Sequence, residues 1–350
     1  LIASWFKQGA KSGDTSKLNY SEILNNSFSK IKPDLILSLD SILLKNNKLD
    51  KFYVLKIPYT IPYDTFVRAI ELIPGHPDYL HHLNGHLLNY DPAKKKNVFA
   101  GTRLFDVETK DYDTEFIALK LDNDDGTLPQ RIHSAVNYLP GTQAAFYPEG
   151  LGGFRMSKVG AFVANDIHFG PSPINVWDKS KLYIYFSKTP PKRPTSELML
   201  GTNGVSPIIP PLVLQPGTIT KHFSSVTIYN DISILTINPH MHLLGKSFTA
   251  YAVKPNGDTV KLIRIPDWRF KWQYFYTFKK MVKIPKGSII IIEAVFDNTS
   301  DNPNNPFNPP QVVSERFENN GASMRTTDEM LQFIITYLPY VKGDENISLE

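Results

Sequence analysis

Proline and glycine punctuate this chain from end to end, and they limit the regular structure that can form between them. The 350 residues include 27 prolines and 20 glycines, spread throughout rather than confined to linkers. Short aromatic and β-branched runs fill the intervals, as in 181-KLYIYFS-187, 223-FSSVTIY-229 and 289-IIIIEAVF-296. Such runs between turn residues are typical of antiparallel strands, so the sequence predicts an all-β protein of sandwich or jelly-roll type.

The densest proline clusters predict a boundary between two domains. Proline cannot sit inside paired central strands, and it recurs in 189-TPPKRPTSE-197 and 203-NGVSPIIPPLVLQPG-217. The length of the chain also favours two domains or one large β domain. We predict two tandem antiparallel β-sandwich domains with a short helical and extended arm before them. The predicted parts are the arm at 1–50, a first domain at 51–188, a linker with the first strand of the next domain at 189–217, and a second domain at 218–345.

Composition and charge exclude several classes of function. The chain has no cysteine, so disulfides and thiolate metal sites are excluded, and a metal ion would need His, Met, carboxylate or backbone ligands. The net charge of +4 comes from scattered basic residues, which predicts no nucleic-acid partner. No apolar run approaches the ~20 residues that span a bilayer, which predicts no membrane span in this chain.

The stretch 238-NPHMHLLG-245 contains two histidines separated by one residue. Residues i and i+2 of a strand point to the same face, so His240 and His242 would form a two-donor chelate on a strand. Met241 would then point the other way, into a core or a sheet interface. The alternative is a pair of surface histidines at the end of a strand.

Three further histidines and a methionine are candidate ligands. His81 and His82 are adjacent, so both can bind one metal ion only if the strand bends, which Gly75 and Gly85 permit, or if they use different ring nitrogens. His168 follows the apolar run 159–164 and is either a ligand or a hydrogen-bonded histidine at a strand end. Met330 begins an apolar run, where methionine usually fills a core. A thioether beside two imidazoles is also a soft donor set that suits Cu(I).

The order His-His, His, His-x-His, Met resembles that of the type II copper, ascorbate-dependent monooxygenases. This family includes peptidylglycine α-hydroxylating monooxygenase and dopamine β-monooxygenase. The resemblance extends over about residues 50–340. Four segments carry it: 60-TIPYDTFVRAIELIPGHPDYLHH-82, 150-GLGGFRMSKVGAFVANDIHFG-170, 239-PHMHLLGKS-247 and 326-TTDEM-330.

The resemblance implies two copper ions per chain, O2 and ascorbate as reductant, and hydroxylation of a C–H bond in a small or peptide-like substrate. The first copper would be held by His81, His82 and His168. The second, catalytic copper would be held by His240, His242 and Met330. The neighbouring Asp328 and Glu329 either orient ligands or are charged turn residues. The remaining histidines have no counterpart in the family and are left as structural or exposed: His76, His86, His133 and His222.

Three positions depart from the amidating branch of the family. That branch binds the peptide carboxylate with an arginine two residues before the His-x-His, and with an asparagine and a tyrosine after the methionine. This chain has Asn238, Gln332 and Ile334 at those positions, and the loss of a guanidinium removes the natural partner of a carboxylate. We therefore expect a more neutral, apolar substrate pocket and no peptide amidation. The alternatives are a non-catalytic copper-binding or electron-transfer protein, a zinc hydrolase, and a jelly-roll binding module.

The first residues suggest a further partner. The stretch 2-IASWFKQGAKSGD-14 is similar to the last helix of bacterial c-type cytochrome domains. This similarity implies a bacterial, periplasmic or secreted protein, trimmed from a parent with a cytochrome c-type domain upstream. Such a haem domain, or a separate cytochrome, is expected to supply electrons in place of ascorbate.

Overall fold

The computed structural model describes most of the chain: residues 2–9, 31–46, 49–106, 117–141, 144, 146–148, 150–318, 321–322 and 325–349. The chain divides between Pro33 and Asp34 into two compact units. In the first unit, Ile2–Lys7 form helix α1. Residues 10–30 of the predicted arm lie outside the described residues. Within the described ranges, no helix has the length and apolar character needed to cross a membrane.

Two antiparallel sheets form a first sandwich in the second unit. The five-stranded sheet has the order β6 (Leu104–Asp106), β3 (Lys51–Thr60), β9 (Val159–Phe169), β5 (Leu80–Asn89) and β7 (Gln130–Tyr138). The four-stranded sheet has the order β1 (Leu35–Ser38), β11 (Lys181–Phe186), β4 (Thr65–Ile73) and β8 (Phe154–Met156), and a ribbon joins β2 (Ile42–Leu44) to β10 (Val176–Asp178). Buried side chains of both sheets, such as Leu55 and Ile184, share one core.

Two four-stranded sheets form a second sandwich. One has the order β12 (Ser196–Gly201), β23 (Gln332–Pro339), β15 (Ile232–His240) and β18 (Tyr276–Ile284). The other has the order β14 (Thr218–Thr227), β19 (Ile289–Asn298), β16 (Gly245–Val253) and β17 (Thr259–Ile265). Two ribbons and one 3₁₀ helix complete it: β13 (Val213–Leu214) with β20 (Val313–Ser314), β21 (Phe317–Glu318) with β22 (Gly321–Ala322), and Asp344–Asn346.

The predicted all-β class with antiparallel sandwiches is confirmed. Burial alternates along β19, with every second residue buried, because one face of the strand packs on a core and the other is more open. β16 follows the same pattern after its first residues. The boundaries predicted for the domains and the linker stay predictions.

β15 differs because all nine of its residues are buried. Ile234 and Ile237 pack into the core of the second sandwich. Leu235 belongs instead to the core of the first sandwich, together with Met281 and Leu338. The two sandwiches therefore meet across the sheet that holds β15. This double burial explains the nearly continuous apolar run before His240.

A buried ion pair anchors the proline-rich segment to the second sandwich. Arg193 donates from Nη1 and Nη2 to the Asp344 carboxylate at 2.7 and 2.9 Å. The same carboxylate accepts hydrogen bonds from the hydroxyl of Ser233 and the backbone N–H of Val341. Burial alone would raise the pKa of Asp344, but the Arg193 and Ser233 contacts prevail and lower it to about 2.

Replacing Asp344 tests this anchor. Asp344→Ala leaves Arg193 without its partner in a largely buried place, so the free energy of unfolding should fall by about 3–5 kcal/mol in a urea titration. The pKa of Asp344 is lower in the folded chain than in the unfolded one. Its stabilising contribution is therefore complete above about pH 4 and is lost as the pH falls towards 2.

The exposed pair of Lys254 and Asp258, 3.9 Å apart, provides the control. Asp258→Ala should cost less than about 1 kcal/mol. Equal losses for the two variants would contradict the anchoring role. So would parallel acid unfolding of the wild type and the Asp344→Ala variant between pH 4 and pH 2.

Candidate metal centres

Three predicted ligands, His81, His82 and His168, meet where β5 lies beside β9. His82 and His168 are directly opposite each other in the register of these strands. The ring centroids of His81 and His82 lie 4.7 and 5.0 Å from that of His168. We call these three residues the first histidine cluster.

An irregularity in β5 brings the two adjacent histidines to one side. On a regular strand, His81 and His82 would face opposite ways. The register of β5 against β9 shifts between Leu80 and His82, so His81 has no residue of its own opposite it. A bulge of this kind re-aims the side chain of the extra residue. A second shift, between Asn84 and Gly85, leaves Asn165 of β9 without a residue of its own opposite it, so this irregularity lies on the partner strand.

Two neighbours fix the positions of the rings. Phe52 on β3 stacks on His168, with centroids 4.2 Å apart and 13° between the planes. Gly170 follows β9 and leaves the space that the His81 ring occupies. A Cβ atom at position 170 would lie 2.5 Å from Nε2 of His81. A larger residue there would displace the imidazole.

Asp166 holds His82 by one ring nitrogen. Its Oδ2 lies 2.9 Å from Nε2 of His82. Burial disfavours the charged form of His82, but the carboxylate outweighs burial, and the pKa of His82 is raised. Nδ1 of His82 is buried and has no hydrogen-bond partner among the described residues. A histidine oriented by a carboxylate through one nitrogen, with the other free, is the usual arrangement of a metal ligand.

His168 has two buried ring nitrogens without a hydrogen bond in the described part of the chain. Burial, reinforced by the charge of His82, lowers the pKa of His168 to about 4. The ring is therefore neutral near pH 7, which is the form that binds a metal ion. Unbonded buried polar atoms cost about 1–3 kcal/mol each, and a bound metal ion would remove that cost. The first histidine cluster thus fits a metal ion.

A carboxylate that the sequence patterns did not reveal joins this cluster. The donor atoms of Asp50, His81 and His168 all lie within 4.8 Å of one another. Among the described residues, no other three His, Asp or Glu side chains meet that spacing. His82 lies beside this trio, but its donor atoms are not within 4.8 Å of those of all three residues.

His240 and His242 form a second histidine cluster at the end of β15. Their ring centroids lie 5.1 Å apart, with 86° between the planes. Met241 is fully buried in the core of the second sandwich, as predicted. Nε2 of His240 is buried without a hydrogen-bond partner in the described residues. Burial lowers the pKa of His240 to about 3, so this ring is also neutral near pH 7.

The orientation of His242 is set by the backbone. Its Nδ1 donates to the carbonyl oxygen of Asp328 at 2.9 Å, so in the neutral ring Nε2 carries the free lone pair. Its own carbonyl accepts a hydrogen bond from the indole of Trp268 at 3.2 Å. Phe270 packs edge-on to the imidazole, with centroids 5.9 Å apart. The Asp328 carbonyl therefore fixes one nitrogen of His242 and, with it, the tautomer of the ring.

Glu329 joins the His-x-His turn to Met330. One carboxylate oxygen accepts the backbone N–H groups of His242 and Met330 at 2.9 and 3.1 Å. The other accepts the N–H of Leu244 at 2.7 Å. Burial raises the pKa of Glu329 to about 8, although these three donors oppose the rise. Because His242 and Met330 bind the same oxygen, the third predicted ligand starts beside the second.

The predicted pocket residues lie on one face of the sheet with His240. Asn238 is opposite Ile334, and His240 is opposite Gln332, in the register of β15 and β23. Directly opposite residues of an antiparallel pair share a face, as do residues i and i+2. Asn238 donates to the carbonyl of Tyr274 at 3.0 Å, and Gln332 donates to that of Thr202 at 2.9 Å. Both side-chain amides therefore already have a partner.

Asp166 lies within electrostatic reach of both clusters. Burial lowers the pKa of His240 and of His242, and the negative charge of Asp166 acts in the opposite direction on each. It also faces His82 directly. Gln273 is fully buried and acts to raise the pKa of His240, against the effect of burial. Its amide nitrogen and oxygen have no well-formed hydrogen bond in the described ranges. Asp166 thus acts on histidines of both clusters.

The other four histidines have separate surroundings. His222 bonds through both nitrogens, to the hydroxyl of Thr220 and the carbonyl of Pro210. His133 lies 3.2 Å from Glu197. His86 is buried outside the clusters, and burial lowers its pKa well below the usual value. His76 is half-buried, and its backbone N–H donates to Asp178.

Comparison with protein families gives one match. A model of the C-terminal domain of copper type II ascorbate-dependent monooxygenases matches residues 198–305. The matched segment contains His240 and His242. The family resemblance predicted from the sequence is therefore confirmed over this segment. Over this segment the chain is similar to a family of copper-dependent, ascorbate-dependent monooxygenases.

Comparisons with whole chains add little. No curated protein matches this chain. The major capsid protein P2 from Bacteriophage PM2 is 10% identical, with 89% of this chain and 99% of that chain covered and a TM-score of 0.27. A structure of infectious bursal disease virus Gt strain is 10% identical, with 91% and 76% covered and a TM-score of 0.18. These TM-scores are too low to carry an argument about fold or function.

Gly170→Ala tests the position of His81. The new methyl group would displace the end of the His81 side chain, which can move, so the unfolding free energy should change by less than about 1 kcal/mol. Copper binding at the first histidine cluster should weaken measurably in a chelator competition. In a His81→Ala background, the same substitution should have no further effect on copper binding. An additional loss in that background would contradict the proposed contact.

Glu329→Gln tests the link between His242 and Met330. Above about pH 8, where Glu329 is ionised, an amide in its place would point N–H donors at backbone N–H groups, which should cost about 1–3 kcal/mol of unfolding free energy and weaken copper binding at the second cluster. Glu293→Gln is the control, because Glu293 is a partly exposed carboxylate on β19 that contacts Tyr251 and Lys221. Copper binding that is equally affected by both variants would contradict a specific role of Glu329.

Proposed function

We propose that this protein, whose residues 198–305 match the C-terminal domain of copper type II ascorbate-dependent monooxygenases, hydroxylates a C–H bond of a small substrate. It would use O2 and an external reductant. The observation that carries this proposal is the His-x-His within the matched segment. There, His240 presents a buried ring nitrogen without a partner among the described residues, and the Asp328 carbonyl fixes the ring of His242 through Nδ1.

Two sets of residues would each hold one copper ion. His81, His82 and His168 form the first set, and their unbonded buried nitrogens support it. His240, His242 and Met330 form the second, catalytic set. Copper bound there would supply one-electron redox chemistry with O2, and the thioether of Met330 favours the reduced ion. Each set lies at the end of a strand, which keeps its ligands on rigid elements.

The side chains of this protein prepare both sites. Burial keeps His168 and His240 neutral near pH 7, so neither of these two rings must lose a proton before a metal ion binds. The Asp328 carbonyl fixes the tautomer of His242, and Asp166 fixes the ring of His82. Glu329 aligns the backbone that carries the second set. The buried surroundings of these residues also exclude water from the ligands.

The substrate is proposed to be neutral and largely apolar. Asn238 occupies the position of the carboxylate-binding arginine, and its amide nitrogen already donates to the Tyr274 carbonyl. Ile334, opposite it, adds an apolar side chain on the same face. The aromatic rings of Trp272, Tyr274 and Tyr276 contact one another in the adjoining segment, and Trp272 is half exposed. This surface suits an apolar molecule better than a peptide carboxylate, so amidation of peptides is not proposed.

The electron donor is proposed to be ascorbate or a c-type haem domain. The helix α1, at Ile2–Lys7, carries the start of the cytochrome-like pattern and supports the second donor. Residues 10–14 of that pattern lie outside the described residues. A haem partner of this type places the protein in the bacterial periplasm or outside the cell, and we propose that location.

The first test counts copper ions. The purified chain is stripped, loaded with copper, dialysed and analysed for bound metal, with Met330→Ala, His168→Ala and the control His76→Ala in parallel. We expect two ions in the wild type and in His76→Ala. Each of the other two variants should lose one, because each removes a ligand of a different site. A preference for zinc, or no tightly bound copper, would overturn the proposal.

Turnover separates the enzyme from a non-catalytic copper protein. O2 consumption is followed with ascorbate or a reduced c-type cytochrome, and with neutral apolar compounds or peptides ending in a free carboxylate. We expect substrate-dependent O2 consumption with an apolar compound, and its loss in Met330→Ala. Two bound copper ions without substrate-dependent O2 consumption would favour electron transfer or copper storage. Preference for the peptides would contradict the proposed pocket.

A further inference from the structure

The carboxylate of Asp50, the residue just before β3, lies beside the first histidine cluster. The sequence patterns did not associate this residue with the cluster. Oδ1 of Asp50 lies 3.2 Å from Nε2 of His168. This nitrogen is buried and is not aligned for a hydrogen bond with the carboxylate. Asp50, His81 and His168 bring their donor atoms within 4.8 Å of one another. Asp50 and His168 thus approach each other without a well-formed hydrogen bond, and His81 lies beside them. This spacing matches that of ligands around a shared ion.

The pairing of β3 with β9 places Asp50 there. Lys51 and Phe52 lie opposite Phe169 and His168, so Asp50 comes at the strand end where Gly170 follows β9. Gly170 also leaves room for the ring of His81. Phe52 on β3, two residues after Asp50, stacks on His168. Three chain segments therefore converge at this edge of the five-stranded sheet, and Asp50 brings a carboxylate beside His81 and His168.

The two oxygens of Asp50 face different partners. Oδ1 faces His168, whereas Oδ2 lies 3.8 Å from Nζ of Lys271. The Lys271 side chain is 70% exposed, so this pair contributes at most about 1 kcal/mol and leaves the carboxylate free to bind a metal ion. Oδ1 is thus the oxygen that lies beside His168. This orientation presents one oxygen to the cluster.

We propose that Asp50 is a ligand of the metal ion at the first histidine cluster, beside His81 and His168. This inference rests on the proposed function, because it takes that ion to be copper. It adds an anionic oxygen to a set that the sequence predicted to consist of histidines alone. His82, with its buried and unbonded Nδ1, remains available as a further nitrogen donor.

A carboxylate gives this site a different preference from the second one. Carboxylate oxygens are hard, anionic donors, and they favour Cu(II) over Cu(I). The thioether of Met330 has the opposite preference. The first site should therefore have the lower reduction potential of the two. That order suits a site that stores an electron for use at the other.

The test compares Asp50→Asn and Asp50→Ala with the control Asp40→Asn. Asp40 matches Asp50 in exposure, at 37% against 35%, and pairs with Arg103 at 3.3 Å. Each substitution is made in a His242→Ala background, which confines copper to the first site. The readouts are the dissociation constants of Cu(II) and Cu(I) by chelator competition, the reduction potential, and the electron paramagnetic resonance spectrum of Cu(II).

We expect both Asp50 variants to weaken Cu(II) binding at least about tenfold, since even loss of an outer partner of a ligand costs ~10–100-fold. Cu(I) binding should change less, so the reduction potential should rise, and the copper hyperfine splitting should change. Asp40→Asn should leave all of these unchanged. Asp50→Asn is nearly isosteric at a partly exposed site, and melting of the metal-free variants checks that they fold.

Failure of this inference is distinguishable from failure of the proposed function. If the Asp50 variants bind Cu(II) with unchanged affinity and spectrum while His168→Ala loses a copper ion, Asp50 is not a ligand and the two-copper proposal stands. If His168→Ala also retains both ions, the first site is not a copper site and both proposals are overturned. If the Asp50 variants do not fold, pulsed resonance of the His242→Ala protein decides between an oxygen ligand and an all-nitrogen set.

Discussion

The burial of β15 on both faces is the constraint on which the rest of this structure depends. A strand that packs on two cores must have every side chain accommodated, and the apolar run before His240 meets that demand on both sides. Polar residues at its end must then be bonded or serve a purpose. Asn238 is bonded to a backbone carbonyl, whereas His240 keeps a nitrogen without a partner. The strand therefore places Nε2 of His240, which makes no hydrogen bond with the described residues, near the region where the two sandwiches meet.

The same contrast recurs in the first sandwich. Most buried polar groups in this chain have partners, and His222, which bonds through both nitrogens, shows what a purely structural buried histidine looks like. His168 has neither nitrogen bonded, although its burial is equally complete. Leaving such atoms unpaired lowers stability, and a metal ion bound at the two clusters would remove that cost for His82, His168 and His240.

The sequence predicts the strands and the histidines better than it predicts their carboxylates. Short runs between prolines and glycines identify strands locally, and the spacing of His240 and His242 determines that they share a face. Asp166 had a usable signal, because it lies two residues before His168 on one strand. Asp50 had none, since its place depends on how β3 pairs with β9, a long-range register that no local pattern specifies. The bulge at His81 likewise depends on a neighbouring strand.

Asp166 has a consequence for how the two clusters fill. It bonds to His82 and also acts on His240 and His242, so its single negative charge is shared between two places that attract cations. A cation bound at either cluster would offset part of this negative charge, so a cation at the other cluster would be attracted less. By thermodynamic linkage, each ion must then weaken the binding of its counterpart by the same factor. Ions bound at the two proposed sites would thus be coupled as binding equilibria, with negative cooperativity that grows as ionic strength falls.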